Sequence, residues 1–130
     1  MFLDNPIFGI GLGSQNFREI YGLYMRTGFD ALGTYSVPLE IAVETGLLGL
    51  ISFFAILFIA CYRAVIFLKS AGTRAETKLL VFSMLVLIAL LMTHGLIDTI
   101  FYRPQVQMLF WFALAVINVA TLPLPQKSSQ

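Results

Sequence analysis

The sequence predicts an all-α integral membrane protein: about three transmembrane helices, preceded by an extracytoplasmic N-terminal segment of loops and short helices. Three observations predict it. Of the 130 residues, 58% are hydrophobic and 12% charged, and the mean hydropathy of +0.86 exceeds what a soluble domain of this size needs. Three apolar runs, at residues 46–68, 79 to about 98, and 106–122, approach the roughly 20 residues that cross the hydrocarbon layer. The cations are unevenly placed. Arg63, Lys69, Arg74 and Lys78 stand against the single acid Glu76, whereas residues 1–45 hold Arg18 and Arg26 against Asp4, Glu19, Asp30, Glu40 and Glu44. By the positive-inside rule the 69–78 loop is cytoplasmic, residues 1–45 and the 99–105 turn lie on the other side, and the tail with Lys127 returns to the cytoplasm. A net charge of +1 argues against a nucleic-acid partner, which calls for a basic face.

The organisation divides at about residue 45. Residues 1–45 form an extracytoplasmic segment: a glycine-rich turn around Gly9, Gly11 and Gly13, a short helix at about 15–25, and a loop. "MFLDNPIFG" has neither a basic n-region nor a long apolar h-region and is not a signal peptide. Insertion is therefore expected to rely on the internal spans or on further protein upstream. In "YSVPLEIAVETGLLGL" a helix start is written out: Ser36 can cap, Pro38 falls in the first turn, and Glu40 sits near the positive helix end. Gly46 and Gly49 allow a bend or close packing where the chain enters the bilayer. The first span follows, with Arg63 and Lys69 snorkelling to the headgroups.

"KSAGTRAETK" is a short polar turn, so the first two spans make an antiparallel hairpin. The second span is apolar as far as Thr93, which puts Asp98 at the far interface and His94 about 6 Å inside it. In "FYRPQ" Tyr102 is an interfacial aromatic and Pro104 breaks the helix. The third span carries Trp111 near its outer end, and residues 123–130 form a disordered cytoplasmic tail. The transmembrane region is thus 46–122.

Candidate chemistry is sparse. His94 and Asp98 are spaced i, i+4, so the carboxylate can fix the imidazole tautomer with Arg103 nearby; the same polar cluster also suits a plain helix end held by its own hydrogen bonds. "GIGLG" lacks the spacing and the βαβ setting of a dinucleotide fingerprint, and reads as a close-packing turn or as amides near an anion. Glu40 and Glu44, also i, i+4, form either an acid and base pair or a solvated helix face. Arg18 and Arg26 carry forks that match phosphate, and equally suit lone surface charges. Tyr35 and Ser36 have hydroxyls but no adjacent base. Cys61 is alone inside a span and reads as a buried structural thiol. No metal or cofactor is expected.

"NPIFGIGLGSQNF", "YSVPLEIAVETGLLGL" and "THGLIDTIFYRPQVQMLFW" together resemble the C-terminal part of the O-antigen ligase and polymerase superfamily of bacterial membrane proteins. The last stretch is closest to its branch described as bicarbonate transporters. The resemblance covers Asn5 to about Val116 and rests on P-x-x-G-x-G, E-x-G-x-x-G and "HGLIDTIFYRP". It implies a location in the bacterial inner membrane and a larger fold of about a dozen helices, of which this chain supplies the end of a periplasmic loop and the last three spans. The ligases transfer a glycan from an undecaprenyl diphosphate carrier. Their base is a histidine nine residues before the motif glutamate, here Glu44, and that position is occupied by Tyr35. Arg18 and Arg26 are then candidates for the diphosphate clamp, and His94, Asp98 and Arg103 for the wall of an extracytoplasmic site. The expected partners are membrane lipid, a lipid-linked glycan, and the remaining helices or a partner subunit. Three readings follow: a glycan-handling ligase segment, an inorganic-carbon transporter or accessory factor, and an inactive membrane fragment.

Overall fold

The computed structural model describes residues 6–11 and 35–122, apart from the Tyr102 side chain. Arg18, Arg26, the short helix at 15–25, the Tyr102 anchor and the 123–130 tail lie outside the described residues. Among the described residues all regular structure is helical: α1 (Val37–Lys69), α2 (Ala75–Gly95), a 3-10 turn (Ile100–Tyr102) and α3 (Pro104–Thr121). All three α-helices are long and apolar enough to cross a membrane.

The helix ends follow local chemistry. Ser36 precedes α1 in extended conformation, and its carbonyl accepts from the Glu40 amide at 2.8 Å. Its hydroxyl makes no capping bond, contrary to expectation; Pro38 in the first turn removes one of the donors a cap would serve. At the other end both the Ser70 amide and hydroxyl donate to the Phe67 carbonyl and close the last turn. Helix α2 stops at Gly95, short of the expected Asp98, because the Ile97 and Asp98 amides both converge on the His94 carbonyl. Pro104 opens α3 rather than only breaking a helix, since the first helical position has no donor to lose.

The helices pack as an antiparallel trio in which each touches the other two. Ala60 and Ala64 of α1, Val81 and Ile88 of α2, and Phe110, Ala113, Leu114 and Ile117 of α3 form the core. Alanines at the contact let the helices approach closely without a large apolar driving force. Toward the end that holds the 3-10 turn, Phe53, Phe101 and Phe110 join in a ring cluster, with Phe101 and Phe110 centroids 5.1 Å apart. Toward the opposite end, near the 70–74 turn, Arg63 donates to the Asn118 side chain at 3.3 Å. That bond ties α1 to α3, so Arg63 does more than reach for headgroups. Most other large apolar side chains, such as Phe58, Leu90 and Val119, point outward. Helices apolar on all sides suit a hydrocarbon surround.

Helix α1 is not one rod. Gly46 has φ 68° and ψ −167°, a backbone region open essentially to glycine alone, and there the helix breaks. Residues 37–45 form an outer half-helix that precedes the span. Residues 47–69 cover roughly 35 Å, enough to cross.

Candidate functional site

A broken helix exposes carbonyls on one side of the break and amides on the other. Residues 6–11 satisfy both sides. The Ile10 amide donates to the Val43 carbonyl at 2.9 Å and the Gly11 amide to the Glu44 carbonyl at 3.0 Å, while the Leu47 amide donates to the Pro6 carbonyl at 2.8 Å. Two glycines make the approach possible. A Cβ on Gly46 would overlap the Ile7 carbonyl, and one on Gly9, at φ 69°, would overlap the Glu44 carbonyl. The P-x-x-G-x-G and E-x-G-x-x-G stretches are therefore two halves of one backbone lock. The Gly9 to Gly11 turn is a packing turn, as one of its two expected readings had it; its Ile10 and Gly11 amides go to helix carbonyls.

Above the lock the outer half-helix turns its carboxylates inward. Glu40 is 6% exposed and Glu44 9%, so the solvated helix face expected as one reading of this pair does not occur. The physical reason is the solvent. Beside a bilayer the apolar Leu39, Leu47 and Leu48 are the residues that face out, and the polar ones turn into the protein. Among buried side-chain atoms, Glu40 Oε2 has no hydrogen-bond partner. Burial, and then the neighbouring charge of Glu44, pushes the Glu40 carboxyl from 4.5 up to about 7.

Tyr35 stands at the mouth of this region, exposed and with φ 53°, a left-handed backbone that costs a non-glycine residue roughly 1–2 kcal/mol. Ser36 and Val37 are buried directly behind it. Gly95, at the end of α2, is buried against Val37 and Ile100, which brings the His94 to Arg103 stretch to the start of α1. His94 and Arg103 are exposed there and Asp98 is half-buried. Among the described residues no side-chain hydrogen bond or ion pair joins these three. The turn is held instead by backbone bonds, with the Asp98 amide donating to the His94 carbonyl at 3.1 Å.

Glu40 and Glu44 thus lie on the half-helix before the break, while Tyr35 and the His94 to Arg103 stretch meet at its start, where Gly95 packs on Val37. Glu40 is the member whose setting sequence reasoning missed. The available signal was its position four residues from Glu44 on a turn whose other side chains are apolar. A buried carboxyl pair offers hydrogen-bond acceptors to hydroxyl groups and, with the Glu40 ionisation near neutrality, a place for a proton to go. Searches against protein-family models, curated proteins and solved structures find no match for this chain.

Proposed function

We propose that this chain is the C-terminal part of an O-antigen-ligase-like membrane protein whose extracytoplasmic end handles a lipid-linked glycan. The observation that carries this reading is the lock: the two motif stretches that suggested the family bond to each other through the backbone at the break in α1. The chemistry beside the lock agrees. Buried carboxylates suit sugar hydroxyls as hydrogen-bond donors, whereas a bicarbonate anion would meet the charge of Glu44 and the burden of a second carboxyl.

Tyr35 occupies the position of the family's histidine, and a phenol with an ordinary pKa near 10 is a poor base at neutral pH. Glu40 takes over the proton in this proposal. Its ionisation is poised near the working range of a general base, raised there by burial and then by Glu44. Tyr35 lines the entrance, and His94 and Arg103 bind the substrate at the rim.

The test is glycan transfer from an undecaprenyl diphosphate donor in vesicles holding the full-length protein. Transfer is expected, with Glu40→Gln lowering it about a hundredfold and Tyr35→Phe lowering it far less. Absence of transfer together with bicarbonate uptake by the same vesicles would sink the ligase reading.

A further inference from the structure

The inner end of the bundle carries features that the outer site does not use. Two clefts open there and share Phe67. The larger, about 600 Å³, is lined by Phe67, Thr73, Arg74, Thr77, Ala120 and Leu122. The smaller, about 370 Å³, is lined by Arg63, Ile66, Phe67, Ser70 and Thr121. Volumes in this range hold small ligands and lipid headgroups.

Their walls are of two kinds. Phe67, Ala120 and Leu122 are apolar and sit where the spans end, continuous with the outward apolar surface. Arg63 and Arg74 bring one guanidinium to each cleft, and Ser70, Thr73 and Thr77 bring hydroxyls. The charge around them is one-sided: Arg63, Lys69, Arg74 and Lys78 against Glu76 alone. The cations that have partners hold neutral ones. Arg63 donates to the Asn118 amide oxygen and Lys78 to the Ser70 carbonyl, so no carboxylate cancels either charge.

A ligand complementary to these walls has an anionic phosphate, neighbouring polar groups and a long apolar tail lying along the helices. We propose that the two clefts form a binding site for an anionic phospholipid of the adjoining leaflet. Arg74 and Arg63 meet the phosphodiester, whose oxygens match the guanidinium forks. The hydroxyls of Thr73 and Thr77 face the headgroup, and an acyl chain runs over Phe67 and Leu122. Basic pockets between spans at this depth are suited to such headgroups. The site is independent of the outer carboxyl pair, which lies at the opposite end of the bundle.

The test is native mass spectrometry of the full chain released from bicelles of equal phosphatidylglycerol and phosphatidylcholine. One phosphatidylglycerol per chain is expected to stay bound. Arg74→Gln should lower its retention about fivefold, and Arg74→Lys should restore most of it. Lys69 is exposed and lines neither cleft, so Lys69→Gln should have little effect. Equal retention of both lipids would overturn the proposal, and so would equal losses in Arg74→Gln and Lys69→Gln, which signal diffuse attraction. Displacement by millimolar inorganic phosphate would also overturn it, in favour of a free anion. Arg74 joins the fold through its carbonyl, which accepts from the Lys78 amide and is kept in either variant, and unchanged helicity by circular dichroism confirms that each variant is folded.

Discussion

Leu39 and Glu40 are neighbours on one helical turn with opposite fates, the leucine 57% exposed and the glutamate 6%. In water that order would be reversed, because burying an unpaired carboxylate costs more than exposing a leucine. The cost is lowered by neutralising the group: burial and Glu44 raise its ionisation to about 7, well above the ordinary 4.5. The folded chain therefore holds a proton that the unfolded chain releases. Stability on this account is fully present below about pH 4.5 and is lost as pH rises through about 7. Thermal unfolding in detergent should accordingly show a lower Tm at pH 8 than at pH 5, and Glu40→Gln should flatten that slope. Equal slopes in the two proteins would contradict the assignment. The residue types of the outer site were legible in the sequence, but their burial was not. Spacing i, i+4 gives a shared helix face and leaves open whether that face meets solvent or protein; here it meets protein, and Leu39 and Leu47 face out.

At the level of the element, α1 was anticipated as a helix starting near Val37, and it starts there. A bend at Gly46 or Gly49 was also readable, since both are small residues at the membrane boundary. What no single stretch contains is the partner: the identity of the segment at the break depends on backbone meeting backbone across 33 to 41 residues of chain. Gly49 instead stays helical and gives room to the Thr45 hydroxyl, which donates to the Ile41 carbonyl at 2.7 Å. The two glycines thus separate by a test. Gly46→Ala imposes a conformation worth roughly 1–3 kcal/mol of strain and pushes the Ile7 carbonyl away. It should lower Tm by several degrees and speed hydrogen exchange at residues 43–47. Adding Gly9→Ala should cost little more, because both changes open the same contact. Full additivity would show that the lock is not one unit.

The whole molecule follows the composition closely. Three apolar runs became three crossing-length helices, and the short "KSAGTR" turn made the first two antiparallel. The limits of the runs were less legible, because hydropathy fades gradually whereas backbone bonds end a helix abruptly, as at Gly95. Packing was the least legible scale. Only 11%, 11% and 22% of the three apolar windows are buried, so most side chains leave no pairing signal that periodicity could report. The antiparallel trio puts Thr73 and Ile97 at opposite ends. With Cys61, the one cysteine, replaced by serine, an impermeant maleimide added to intact cells should label Ile97→Cys and leave Thr73→Cys unlabelled until the membrane is opened. The reverse pattern would invert the assigned orientation.

The lock at Gly46 also fixes an order of events during synthesis. Residues 6–11 are made before their partners Val43, Glu44 and Leu47, which stand at the head of the 47–69 segment. Closing a loop of that length costs about 3 kcal/mol of chain entropy. Three backbone bonds offset part of it, and the one from Leu47 to Pro6 needs the second half of α1 to be in place. The lock therefore cannot close before Leu47 has been made, and a chain stalled short of that point carries its first motif without the backbone that receives it.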